Sequence, residues 1–337
     1  MKINETNVKF SYNCLIESLL IARKWPIHRI FLVFAFNFKY RIFKFFIVNI
    51  SNTKHCFISR IFLGRNTSHM NNPISLFKQA EMCLIASSVD DKMAISYQAA
   101  SAWQQGELTL DKHVPILNLK EPGRPPKPEL VPARELNRRK ITTKEGHAAL
   151  IHSICHIEFN AINLAWDAAY RFQDMPDQYY SDWVNVAKEE TYHFELLSTH
   201  LKTLGYQYGD FTAHNGLWES ALTTAHDSMI RMALVPRVLE ARGLDVTPGI
   251  VKKLESIGDQ AAVDILAIIH SDEIGHVEVG TRWFRYLCEQ RNLNSEETFK
   301  DLINQYMKGL LRGPFDHEVR KRAGFTEEEL LFLESAN

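Results

Sequence analysis

Glu190 and His193 stand three positions apart, as do Glu273 and His276, and of the fourteen histidines in the chain only these two follow a glutamate at that spacing. On a helix, positions i and i+3 share a face, so each pair can grip one metal ion side by side. A single glutamate precedes each pair in apolar-periodic sequence, Glu158 before the first and Glu240 before the second. Four carboxylates and two imidazoles drawn from four helices are the ligand set of a carboxylate-bridged dinuclear centre in a helical bundle. Carboxylates can bridge two cations and offset their charge, while imidazoles fill terminal positions. This mixed set favours two iron ions, with manganese as the other candidate. The competing reading is a pair of buried Glu/His ion pairs, which would strand charges in a core at several kcal/mol each.

Neighbouring residues are candidates for supporting roles. Asp272 directly precedes a ligand glutamate, where a carboxylate can orient an imidazole from another helix. Tyr192 lies between Glu190 and His193 and is a candidate redox-active or hydrogen-bonding phenol, although at i+2 it is expected to face a neighbouring helix. Arg237, one turn before Glu240, is a candidate partner for that glutamate or for a substrate anion, against a plain structural ion pair. Glu219 and Asp227 compete with Glu240. The latter is preferred because ALVPRVLEAR is apolar around it, whereas a glutamate in a first turn, like Glu219, is explained by the helix dipole.

These side chains need four long helices. The first is expected from about Thr143 to Phe172, capped by Thr143 and closed by Asp174, Met175 and Pro176. The second should run from about Asp177 to Leu204 and stop at Gly205, which brings Glu158 and Glu190 to one level as antiparallel neighbours. The third is expected from about Leu217 to Arg242, kinked at Pro236, with a turn through Gly243 and Pro248 and a short helix after it. The fourth should start near Asp259 and continue past Trp283. Ahead of them, residues 75 to 108 read as two short helices broken near Ser88. Residues 111 to 134 hold six prolines and read as an extended strap.

The net charge of −1 over 337 residues hides an asymmetry. Residues 1–69 contain eleven Lys/Arg against two Asp/Glu, together with ten of the twenty Phe. Charges interrupt their most apolar run well short of the ~18 residues of a membrane span. An interfacial basic helix is one reading of this segment; the preferred one is a non-native or disordered leader ahead of Met70. The expected organisation is then a helical segment over 70–110, a strap over 111–140, the bundle over 141–290 and a helical extension over 291–337. Five scattered cysteines without a C-x-x-C pair argue against a zinc ribbon or disulfide framework and make a reducing cytoplasm the default.

The stretches HSICHIEFNAINLAWDAAYRF, DWVNVAKEETYHFELLSTHL, YGDFTAHNGLWE, RMALVPRVLEARGLDVTP and DEIGHVEVGTRWF resemble the ferritin-like family catalogued as domain of unknown function 455. The resemblance spans most of residues 75 to 333. It implies an all-α, ferritin-like four-helix bundle with a dinuclear site, whose metal ligands correspond to Glu158, Glu190, His193, Glu240, Glu273 and His276. It lends no substrate. Some related sequences carry a second glutamate at the position of Asn163, which stays outside the ligand set here. The function expected is an oxygen-activating oxidoreductase, a hydroxylase or oxidase using molecular oxygen, a small substrate and a reductase partner. The alternatives are a ferroxidase or iron-handling protein and a non-catalytic, metal-stapled bundle. The net-acidic bundle gives no expectation of nucleic-acid binding, and a homodimer is compatible with the sequence.

Overall fold

The structure is a computed structural model that describes residues 30–37, 42–49, 74–111, 114–137 and 139–336. The chain divides into Met1–Asn71 and Asn72–Asn337. In the first unit, β1 (Ile30–Asn37) pairs antiparallel with β2 (Ile42–Asn49), Ile30 lying opposite Asn49. Both segments are rich in Phe, Ile and Val, residues that suit extended backbone. They form a hairpin where the sequence offered an interfacial helix. The rest of the expected leader lies outside the described residues.

The second unit is built almost entirely of helices. Ser75 and Ser88 cap α1 (Leu76–Ile85) and α2 (Val89–Gln104), each accepting a backbone N–H with its hydroxyl. A two-residue parallel pairing of β3 (Ile74–Ser75) with β4 (Leu108–Thr109) follows. The proline-rich strap is mostly free of regular structure and is tied down by backbone groups. Gly123 N–H donates to Leu84 O, and Val131 N–H donates to Ala213 O at 2.8 Å.

Thr143 caps α3 (Lys144–Arg171), its hydroxyl accepting from Gly146 N–H at 3.0 Å. A turn through Pro176 leads into α4 (Asp177–Thr203), which packs along α3. Because α1, α4 and α5 all pack against it, α3 is buried nearly all round.

The third helix departs from expectation. It is divided into α5 (Gly216–Thr223), α6 (Ser228–Leu234), a π-helical turn (Val235–Glu240) and α7 (Ala241–Ser256). Asp227 makes the break, because its carboxylate caps α6 by accepting from Met229 N–H and Ile230 N–H. Gly243 and Pro248, expected to end the helix, lie inside α7. Packing of α7 against α8, with Leu244 and Leu254 fully buried, overrides their local propensity. Pro236 sits in the π turn against Gly280 of α8 (Gln260–Gln290), and any β-carbon at 280 would collide with its ring. α8 thus touches α4 on one side and α6, the π turn and α7 on the other, and α5 closes the ring onto α3. The buried Asp167 of α3 and Arg231 of α6 pair at 2.6 Å across this closure. The chain ends in α9 (Ser295–Tyr306), α10 (His317–Arg322) and α11 (Glu327–Ser335), the last carrying a capping box. Among the described residues, no helix is long and apolar enough to cross a membrane.

Candidate metal centre

One end of the ring is locked by Asp259, which caps α8 and accepts from His147 Nε2 at 2.6 Å and His200 Nε2 at 2.8 Å. This clamp joins the start of α3, the end of α4 and the start of α8. Further along, α3, α4 and α8 bring Glu158, Glu190, His193 and Glu273 together, each offering a ligand atom within 4.8 Å of the others. Such a group could hold a metal ion. His276 completes the picture, its Nδ1 lying 2.9 Å from Glu190 and 3.6 Å from Glu273. Glu240, at the end of the π turn, is near enough to Glu273, Glu190 and His276 to feel their charges. All six residues expected as ligands therefore lie in one neighbourhood.

Glu190 is the hinge of the arrangement. Its Oε1 faces His276 Nδ1 at 2.9 Å and its Oε2 faces His193 Nδ1 at 3.2 Å, while Glu158 Oε2 stands 3.5 Å from the same His193 nitrogen. Two donors each about 2.1 Å from one metal ion and at right angles to each other are ~3 Å apart. The observed separations are of that order. Moreover, His276 Nδ1 is buried and makes no well-aligned hydrogen bond, although Glu190 Oε1 stands 2.9 Å from it. Glu158 Oε2, Glu240 Oε2 and Glu273 Oε2 share that condition. Buried polar atoms normally find partners. Three of these atoms, on Glu158, Glu273 and His276, lie within the group around Glu190, where they fit a cation held among them.

The outer faces of the two imidazoles are satisfied in mirror fashion. Asp272 of α8 stands 3.1 Å from His193 Nε2 on α4, and Glu189 of α4 stands 2.8 Å from His276 Nε2 on α8. Each carboxylate immediately precedes a glutamate of the cluster and braces the histidine of the opposite helix. A proton fixed on each Nε2 leaves each Nδ1 lone pair free to bind metal. Glu189 escaped the sequence reading, although its signal is visible: an acidic residue directly before the glutamate in both motifs.

Crowding carboxylates in a buried space sets their protonation. Burial, then the charge of Glu190, holds Glu158 well above the usual carboxylate range. Burial, Glu273 and Glu190 push Glu240 up to about 8, and burial with Glu190 also raises Glu273. Burial opposes ionisation of Glu190 too, but His276 and His193 outweigh it and lower its pKa. The histidines answer in kind. Burial disfavours their charge, yet Glu158 and Glu190 push His193 up to about 11, and Glu190 and Glu189 raise His276 well above its ordinary value. Without a cation the cluster holds itself together with protons.

The remaining candidates fall outside this group. Tyr192 is 43% exposed on the surface of α4 and lies near Tyr97 of α2. Arg237 is fully buried but pairs with Glu329 of α11 at 2.7 Å and not with Glu240, between the rings of Phe299 and Phe325. Glu219 lies in the first turn of α5, and Asp227 is spent on its cap and on Arg291. Asn163 accepts from the buried ammonium of Lys92 at 2.8 Å.

The family described as "Protein of unknown function (DUF455)" matches residues 85–331. An uncharacterized protein of Haemophilus influenzae is 50% identical over 213 residues, which cover 61% of this chain and 74% of the relative. No solved structure matches the chain. The extent of the family match, together with half-identity to the Haemophilus protein, shows that the chain belongs to the DUF455 family.

Proposed function

We propose that the chain is a ferritin-like dinuclear metal protein that uses molecular oxygen to oxidise a small substrate, as a hydroxylase or oxidase. The observation that carries this reading is the reciprocity of the two Glu-x-x-His helices. Glu190 turns one oxygen to each histidine, and each histidine is braced by a carboxylate of the opposite helix. Glu158, Glu190 and His193 would hold one ion, and Glu240, Glu273 and His276 the other, with Glu190 shared. Four carboxylates and two neutral imidazoles carry the charge that two divalent cations cancel, and this relieves the crowding that raises the pKa values of Glu158, Glu240 and Glu273. Two Fe(II) ions bound there would supply the electrons for oxygen reduction, and manganese suits the same donors.

The chain's own residues do the rest. Glu189 and Asp272 keep protons on the outer nitrogens and fix both rings. Their side chains are 36% and 34% exposed, so the outer layer of the site meets solvent while the inner donors remain buried.

Oxygen uptake tests the reading. The Fe(II)-loaded chain should consume oxygen once, and repeatedly when a reductant is added, and Glu190→Ala should abolish both. Uptake that simply tracks added Fe(II) without limit would instead mark a ferroxidase. Metal retained with no uptake would mark a stapled bundle.

A further inference from the structure

A second cluster of metal-binding side chains lies at one end of the bundle. His147 in the first turn of α3, His200 in the last turn of α4 and Asp259 at the cap of α8 each offer one ligand atom within 4.8 Å of the others. They stand 11, 7 and 14 positions from Glu158, His193 and Glu273 on the same three helices. At 1.5 Å per residue the two groups are therefore about 10–21 Å apart along the helix axes. No donor is shared between them.

The carboxylate is held in a way that concentrates both imidazoles on one atom. Asp259 Oδ1 accepts from Ala262 N–H at 3.0 Å, which fixes the side chain as a helix cap. Both histidines turn to the other oxygen, His147 Nε2 reaching Oδ2 at 2.6 Å and His200 Nε2 at 2.8 Å. Two imidazole nitrogens and one carboxylate oxygen, each from a different helix, thus converge on a single point. His147 and Asp259 are half-buried, so the cluster reaches solvent. In the metal-free state each Nε2 donates a proton to Oδ2, and a divalent cation would take the place of those two protons. Tetrahedral donors about 2.0–2.1 Å from zinc stand ~3.3 Å apart, so the two contacts need to open by roughly 0.5–0.7 Å. A small rotation of the imidazole rings supplies that.

We propose that His147, His200 and Asp259 form a mononuclear zinc site, with the two Nε2 atoms and Oδ2 as ligands and water in the fourth position. The donor set decides the metal. Two imidazoles to one carboxylate suit a borderline cation such as zinc and disfavour magnesium or calcium, whereas the carboxylate-rich group around Glu190 suits iron or manganese. The ion would staple the start of α3, the end of α4 and the start of α8, which the hydrogen bonds alone already bring together. The inference does not rest on the dinuclear reading, because the two groups have no ligand in common.

Competition for Zn(II) between the full chain and a chromogenic chelator tests the proposal, in the wild type and in Glu190→Ala, which disables the other group. His147→Gln keeps a side-chain N–H for Asp259 but loses the imidazole ligand. In either background it should retain one zinc ion fewer, that ion being weakened at least about a hundredfold, more than loss of an outer partner costs. His226→Gln, in an exposed turn, should change nothing. Co(II) in place of zinc should show the strong visible absorption of a four-coordinate ion, lost in His147→Gln, and zinc should raise the urea midpoint of the wild type more than that of His147→Gln. The wild-type comparison keeps the test valid if Glu190→Ala does not fold. Equal zinc retention with and without His147→Gln in folded protein would reduce the cluster to a hydrogen-bonded clamp and overturn the site. Displacement of this zinc by equimolar Mg(II) would likewise contradict the imidazole ligation.

Discussion

Glu189→Ala removes the carboxylate that braces His276 from across the α4–α8 interface, without touching any of the six inner donors. The bond is short, 2.8 Å between Oε2 and Nε2, and fixes both the tautomer and the ring orientation of His276. Loss of such an outer partner typically costs about 10–100-fold in metal affinity, or ~1.4–2.7 kcal/mol. Glu189 is 36% exposed, so water takes over part of its role and its charge is screened. The expected loss therefore falls at the lower end, about tenfold. Asp272→Ala should cost less, because that contact is longer, at 3.1 Å. Because both histidines face Glu190, the double variant is expected to depart from the product of the single losses. Anaerobic competition of Fe(II) between the protein and a coloured chelator measures each constant. Glu278→Ala, which disturbs only a surface pair with Arg282, serves as control. Wild-type affinity in both single variants would show that the mirror braces do not orient metal ligands.

Other expectations follow from the same geometry. Gly280→Ala would gain ~1 kcal/mol of helix propensity in α8 but drive a methyl into Pro236 at a cost of ~1–3 kcal/mol; metal affinity should fall as the π turn shifts Glu240, and a stabilised variant with unchanged affinity would be the contrary result. Loading with metal near neutral pH should expel protons, because burial and crowding raise the pKa values of Glu158, Glu240, His193 and His276 without it; a pH-stat titration showing none would be inconsistent with those shifts. Burial works against the charge of Asp167, but Arg231 and Arg171 hold its pKa below the ordinary value of 3.8. Its contribution to stability is thus complete above about pH 4 and is lost as pH falls through the lower folded value. Asp167→Asn leaves the buried Arg231 unpaired, so urea unfolding at pH 7 should show a loss of about 3–5 kcal/mol that narrows towards pH 2; an equal loss at both pH values would contradict the assignment.

What could be read from the sequence was what local periodicity encodes. The Glu-x-x-His pairs place both members on one helical face wherever the helix happens to lie, so Glu190, His193, Glu273 and His276 were legible, as were the bounds of α3, α4 and α8 from Thr143, Pro176 and Asp259. Glu240 was found by its apolar surroundings and misjudged as terminal. Pro248 and Gly243 carry stop signals that packing on α8 overrides, and the π turn at Pro236 depends on the absence of a side chain at Gly280, more than forty positions away. Long-range pairings were beyond reach for the same reason. Nothing near Arg237 in sequence announces Glu329. The hairpin of β1 and β2 escaped because a charge-interrupted aromatic run suits a strand as well as an amphipathic helix.

The most direct test is an anaerobic Fe(II) titration of the full chain, followed by removal of loose metal and a count of the iron retained. The expected result is saturation near two ions per chain, lost in Glu190→Ala with helicity preserved. Retention of no Fe(II) and no Mn(II), or the same retention after Glu190→Ala, would contradict a metal centre built on Glu190.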